Sequence, residues 1–122
     1  MKFVVGGQMD KKLISGLLVK LAGDAAEVTV ATDIEATLAL KNGQADYYFG
    51  CCATGAGGAL GITMGLLGKD KCLTVSMPGR ILTQEEISKA VEEGKVAFGF
   101  VNYDAERVLP MLVTAIRQKA GL

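Results

Sequence analysis

Apolar positions along the chain switch between two spacings. Phe3-Val4-Val5 is a short apolar run closed by Gly6-Gly7, the pattern of a strand and its turn. Met9, Leu13, Leu17 and Leu21 then recur every fourth residue as far as Gly23, which puts them on one face of a helix. The alternation continues. Glu27 to Ala31 is a β-branched strand, and the next helix carries Ile34, Leu38 and Ala39, with Asp33 as its cap and Asn42-Gly43 at its end. Asp46 to Gly50 reads as a third strand, and a glycine-rich run leads into a third helix that ends at Gly68. Cys72 to Met77 predicts a fourth strand, broken by Pro78-Gly79. Thr83-Gln84-Glu85-Glu86 has the form of a capping box and opens a helix that ends at Gly94. Lys95 to Val101 is the fifth strand. The last helix has Asp104 as its cap and runs to about Lys119, with Pro110 as a kink or a displaced start.

Five strands alternating with five helices imply a parallel sheet covered by helices on both faces. Short loops and right-handed crossovers leave few topologies. The expected architecture is one α/β domain over residues 1–122, a three-layer αβα sandwich whose five-stranded parallel sheet has the flavodoxin-like order 2-1-3-4-5. Ligands of such sheets sit beyond the carboxyl ends of the strands, where the order reverses. Here that point lies between strands one and three. The loops ending there are Gly6-Gly7-Gln8 and the glycine run, and Pro78-Gly79-Arg80 and Asn102-Tyr103 end on the same rim.

Composition narrows the function. Half of the 122 residues are hydrophobic, enough for a real core. Lys and Arg balance Asp and Glu at 13 each, and no basic stripe is visible, so no nucleic-acid partner is expected. The longest apolar stretch, Ala59 to Leu67, is too short for membrane insertion. Gly6-Gly7 interrupts the N-terminal apolar residues too early for a signal peptide. Three cysteines, two of them adjacent, fit a reducing cytoplasm better than a disulfide framework. The absence of histidine excludes Ser-His-Asp and Cys-His nucleophile pairs and histidine-based zinc sites within this chain. No metal and no cofactor is expected.

The candidate chemistry lies in Gly50-Cys51-Cys52-Ala53-Thr54-Gly55-Ala56-Gly57-Gly58-Ala59-Leu60-Gly61. A strand, a glycine-rich turn and a helix start can present several backbone N–H groups to an anion. The run departs from the standard signatures. Leu60 stands where a dinucleotide fingerprint needs glycine or alanine, no Gly-Lys-Ser/Thr follows, and Gly57 and Gly58 occupy the positions six residues after Cys51 and Cys52 where a phosphatase-type loop needs arginine. A tight turn with close helix packing is the plainer account of these glycines. The other account is a pocket for a small anionic metabolite formed by Gly6, Gly7, Gln8, Cys52, Thr54, Gly55, Ala56, Gly57 and Gly58, with Arg80 on its rim. Strand alternation sends Cys51 and Cys52 to opposite faces. Cys52, which opens the turn, is assigned to the pocket, where the helix start favours a thiolate; two buried small apolar residues remain the alternative. Gly57, Gly61 and Gly65 leave one helix face bare, for close contact with the sheet. Leu60, Ile62, Met64, Leu66 and Leu67 make the helix apolar all round, so a second copy of the chain is expected to cover it. The simplest assembly is a homodimer with Met64 or Leu67 near the contact.

Asp46-Tyr47-Tyr48, the run Cys52 to Leu60, Pro78-Gly79 and Glu93-Gly94-Lys95-Val96-Ala97-Phe98-Gly99 resemble the YhfU-like family of small bacterial proteins, a domain of unknown function. That resemblance implies a cytoplasmic protein and no established activity. Locally, Cys52-Ala53-Thr54-Gly55-Ala56-Gly57 is similar to the Cys-Gly-Thr-Gly-x-Gly loop of ribose-5-phosphate isomerase B-type enzymes. The similarity implies Cys52 as a proton-abstracting base and Gly55 to Gly58 as an anion hole. Those enzymes carry an aspartate and a histidine after the first strand, where this chain has Gly6-Gly7-Gln8. A cysteine before a glycine-rich loop also resembles phosphotransferase IIB domains, which place it after the first strand and not the third. Three functions therefore stand side by side: a binder of a small anionic metabolite, a cysteine-based isomerase acting on a sugar phosphate or related acid, and a structural oligomeric module.

Overall fold

A computed structural model describes residues 1–53 and 57–122. Its elements in chain order are β1 (Lys2–Val5), α1 (Lys11–Ala22), β2 (Glu27–Val30), α2 (Asp33–Lys41), β3 (Tyr47–Cys52), α3 (Gly57–Leu67), β4 (Cys72–Thr74), β5 (Ser76–Met77), β6 (Arg80–Ile81), α4 (Gln84–Glu92), β7 (Ala97–Val101) and α5 (Ala105–Ala120). Five strands form a parallel sheet in the order β2-β1-β3-β7-β4, flanked by helices, so the α/β sandwich class is as expected.

The order of the last two strands is not. The fifth strand in sequence, β7, lies inside the sheet between β3 and β4, and the fourth forms the edge, giving 2-1-3-5-4 in place of 2-1-3-4-5. Composition explains the exchange. Ala97-Phe98-Gly99-Phe100-Val101 is apolar throughout and buried at every position, as a strand covered on both faces must be. Cys72-Leu73-Thr74 is three residues long and half-buried at two of them, which suits an edge. The segment expected to continue to Met77 leaves the sheet at Thr74. Ser76-Met77 pairs antiparallel with Arg80-Ile81 across Pro78-Gly79, where Gly79 has φ 79°. A proline followed by a positive-φ glycine is the preferred centre of a type II turn.

The sheet separates two apolar layers. On one face Phe3, Val5, Phe49, Phe98 and Phe100 pack with Ile14 and Leu18 of α1, Ile87 of α4, and Leu109, Leu112 and Ile116 of α5. Phe49 touches both Phe3 and Phe98, with ring centroids 5.0 and 5.6 Å away, so one aromatic row crosses the three central strands. The other layer is thinner: Val4, Tyr48 and Ala97 meet Ala36 and Leu40 of α2 and Leu60 of α3. Met64 and Leu67 pack against that second cluster of their own chain. Gly61 and Gly65 do not face the sheet as expected. Both are exposed, and a Cβ on either would have nothing within 4 Å. The bare stripe therefore points outward, because Leu60 and Thr63 occupy the buried side of α3.

Candidate functional site

The order reverses between β1 and β3, and the loop after β1 closes onto β3 there. Gly6 N–H donates to Phe49 O (3.0 Å) and Gln8 N–H to Cys51 O (3.2 Å), so residues 6–8 extend the β1–β3 ladder. Gly7 N–H donates to the Asp33 carboxylate at 3.3 Å. The three backbone amides of this loop, whose residues were expected to line the pocket, are thus used inside the chain. What Gly6 and Gly7 supply is room. A Cβ on Gly6 would fall 2.6 Å from Tyr48 Cε2, and one on Gly7 2.8 Å from the Cys51 nitrogen. Of this loop, the Gln8 side chain is exposed.

Behind the loop lies a polar cluster that no motif in the sequence marks. Thr32 caps α2: its hydroxyl accepts from Glu35 N–H at 3.2 Å, and the Glu35 carboxylate accepts from Thr32 N–H at 3.1 Å. The cap falls one residue earlier than expected, and this frees Asp33. Its carboxylate accepts from the Tyr48 hydroxyl as well as from Gly7. Thr37 Oγ1 donates to Asp33 O at 2.9 Å and lies 2.8 Å from Thr63 Oγ1. One cluster, buried at Thr37, Thr63 and Tyr48 and half-buried at Asp33, therefore ties α2, α3, β3 and the first loop together. Burial first, and then the Asp33 carboxylate, push the Tyr48 phenol far above its usual range, so it stays a donor. A signal for this does exist in the sequence: Tyr48 lies on the face of β3 opposite to Phe49, and Gly50 beside it leaves space for the ring. A Cβ on Gly50 would meet the Tyr48 hydroxyl at 2.8 Å.

β3 separates the adjacent cysteines as strand alternation requires. Cys51 belongs to the aromatic layer, and its Sγ donates to Met9 O at 3.2 Å. Burial first, then the Asp10 and Cys52 charges, push its thiol up to about 12. This is the environment of an inert cysteine. Cys52, also buried, is the last residue of β3 and shares the α2–α3 face with Tyr48. No disulfide joins the described cysteines.

The raised Cys51 value makes a pH prediction. Its folded pKa lies above the ordinary value of 9.0, so the contribution to stability is complete below about pH 9 and is lost as pH rises towards 12. The buried Tyr48 phenol acts in the same direction at higher pH. Urea unfolding at pH 8 to 11 should show stability falling with pH, and Cys51→Ala should make the fall shallower. Equal slopes for the two proteins would show that the thiol is not held protonated by the fold.

Arg80 is exposed on β6 and lines a cleft of about 460 Å³ with Gly79, Ile81, Tyr103, Asp104 and Arg107. The cleft that Arg80 lines includes none of Gly6, Gly7, Gln8 and Cys52. Thr54, Gly55 and Ala56 lie outside the described residues. Gly57 and Gly58 are the first two residues of α3. Among the described residues no cluster of Cys, Asp or Glu could hold a metal ion, and no helix is long and apolar enough to cross a membrane.

Comparison with known proteins bears on family and fold. A family model described as "Protein of unknown function DUF2620" matches residues 1–116. The "Uncharacterized protein YhfU" of Escherichia coli (strain K12) is 43% identical over 91 residues, covering 75% of this chain and 78% of that protein. The protein of the same name from Shigella flexneri matches with the same identity and coverage. Among solved structures, ribose-5-phosphate isomerase B from Giardia lamblia superposes with a TM-score of 0.67 over 94% of this chain and 92% of that one, at 18% identity. At that identity the likeness is one of fold.

Proposed function

The chain belongs to the family described as protein of unknown function DUF2620, which brings no activity with it, and on that footing we propose that it binds a small anionic metabolite, bearing phosphate or carboxylate, at its glycine-rich strand-to-helix loop. One observation carries the reading. β3 ends at Cys52 and α3 begins at Gly57, on the carboxyl edge of the sheet beside the point where strand order reverses. The start of an eleven-residue helix there favours negative charge. With the amides of residues 6–8 engaged inside the chain, the ligand's contacts come from Thr54 to Gly58, with Gln8 reaching in through its side chain.

The test is a thermal-shift titration with inorganic phosphate and ribose 5-phosphate, on the native protein and on Gly57→Val. A probe at a hundred times its dissociation constant stabilises by about 2.7 kcal/mol. The valine variant should lose that shift, because a β-branched side chain blocks approach to the amides, while circular dichroism reports an intact fold. A folded variant with an unchanged shift would remove this site. The second reading is an isomerase with Cys52 as base, favoured by the likeness in fold to ribose-5-phosphate isomerase B and by the locked state of Cys51. Turnover of the sugar phosphate that Cys52→Ser abolishes, with the thermal shift retained, would select it.

The proposal includes a homo-oligomer, most simply a twofold dimer. Its contact moves from Met64 and Leu67, which pack on their own chain, to the outer surface of α2 and α3. There Ile34 is 54% exposed, Leu38 and Ile62 41%, and Leu66 39%. Gly61 and Gly65, each directly before one of the α3 pair, are exposed as well and would let a second helix come close. α3 carries no charge that a symmetric contact would bring against itself.

A further inference from the structure

We propose that the cleft between the β5–β6 hairpin and the start of α5 is a separate binding site for a small hydroxy-carboxylate. Four side chains carry the assignment. Arg80 and Arg107 are both exposed and both line the cleft, one from each side. Among the described residues neither guanidinium has a salt bridge or an intramolecular hydrogen bond, although the exposed Glu86 carboxylate of α4 feels the Arg80 charge, so two cations line one cleft. Asp104 also lines the cleft. It is only 8% exposed and stands at the N-cap position of α5, yet its side chain makes no capping bond and has no hydrogen-bond partner among the described residues. Among the described residues no buried side-chain oxygen is left without a partner, so the unbonded Asp104 carboxylate oxygens are open to the cleft they line, where a donor on a ligand can reach them. Tyr103, 66% exposed, adds a phenol and an aromatic face to the rim.

The charges choose the ligand class. Two guanidiniums are the preferred fork for an oxyanion. Asp104 reduces the net charge of the lining side chains to +1 and can accept a hydrogen bond. The complement is a ligand of net charge −1 with a hydroxyl near its carboxylate. A phosphate monoester brings about two negative charges against Asp104. An amino-acid zwitterion has a net charge of zero and leaves the surplus positive charge uncompensated. A simple carboxylate leaves Asp104 without a donor. The cleft volume of about 460 Å³ falls in the range of small-molecule sites. The site goes beyond the glycine-run reading, since none of Gly6, Gly7, Gln8 or Cys52 lines it. It does open on the same edge: Cys52 and Val101 are register partners, and the chain leaves β7 towards Tyr103 directly after Val101.

Backbone-amide NMR with D-gluconate, acetate, inorganic phosphate and L-serine as probes tests the assignment. Gluconate should give saturable shifts centred on residues 79–81 and 103–107, with acetate, phosphate and serine each about tenfold weaker or more. Arg80→Ala/Arg107→Ala changes two exposed residues, so it should stay folded and lose those shifts. Asp104→Asn keeps a good N-cap residue and should weaken gluconate while strengthening phosphate, an inversion that a merely structural Asp104 would not produce. Preference for phosphate over gluconate in the native protein would overturn the ligand class. Gluconate shifts that survive the double arginine change would overturn the site. If they were instead lost in Gly57→Val, the glycine run would be the binder and this cleft would not.

Discussion

Gly7→Ala should destabilise the chain by about 3 kcal/mol or more, enough to unfold a domain of this size under mild denaturation. Two costs combine. Gly7 has φ 80°, in the left-handed region, where a side chain costs roughly 1–2 kcal/mol. The new Cβ would also lie 2.8 Å from the Cys51 nitrogen and 2.9 Å from Gly50 Cα. Both are backbone atoms of a central strand, so no side-chain rotation relieves the contact. To make space, the loop would have to lift off β3 and give up the Gln8-to-Cys51 and Gly7-to-Asp33 hydrogen bonds. Urea denaturation followed by circular dichroism measures the loss. Gly16→Ala is the control. That glycine is inside α1, and an added Cβ there would have nothing within 4 Å, so alanine should stabilise by roughly 0.5–1 kcal/mol. A Gly7→Ala protein as stable as the parent would mean that this loop does not pack on β3.

The same contacts show where the sequence was legible and where it was not. The class of fold was readable because each element is bounded by a local signal. Thr83 and Glu86 form the capping box their spacing suggests, and Gly94 ends the turn after α4 at φ 104°. The order of the last two strands was not readable from alternation alone, because crossover rules allow β7 on either side of β4. The deciding information was present in composition, an all-apolar Ala97–Val101 against a short, half-polar Cys72–Thr74. Gly6 and Gly7 read as room for a ligand, whereas the partner that requires them is a tyrosine ring and a strand backbone. That error is inherent in reading glycines singly: a close approach looks alike whether a ligand or the chain itself makes it. Asp33 was hidden by Thr32, since either residue type caps a helix and only the fold says which one is left for Tyr48. Arg80 and Tyr103 were expected on one rim, whereas Asp104 read only as a helix cap and Arg107 carried no signal. Only the hairpin and the position of β7 join the four in one cleft.

Leu66→Glu should convert the protein to a monomer without unfolding it. Leu66 is 39% exposed and lies on the outward side of α3, so a glutamate there can reach water in the isolated chain. In a twofold contact through α2 and α3 the change is made twice, and both carboxylates lose solvent beside an apolar helix. An unpaired charge in such a place costs several kcal/mol, and about 4 kcal/mol in total already weakens association roughly a thousandfold. Sedimentation at micromolar concentration should then show the parent as a dimer and the variant as a monomer of unchanged circular dichroism. Met64→Glu tests the placement of the contact. Met64 is half-buried against the second apolar cluster, so its replacement should lower stability within one chain first. Gly61→Ala separates the two roles of the bare stripe. With open space around its Cβ, alanine should stabilise the isolated helix, yet it should weaken a dimer in which two α3 helices approach closely. A parent protein that remains monomeric at these concentrations would defeat the assembly, and Ile34, Leu38, Ile62 and Leu66 would then be an apolar surface that the monomer tolerates in water.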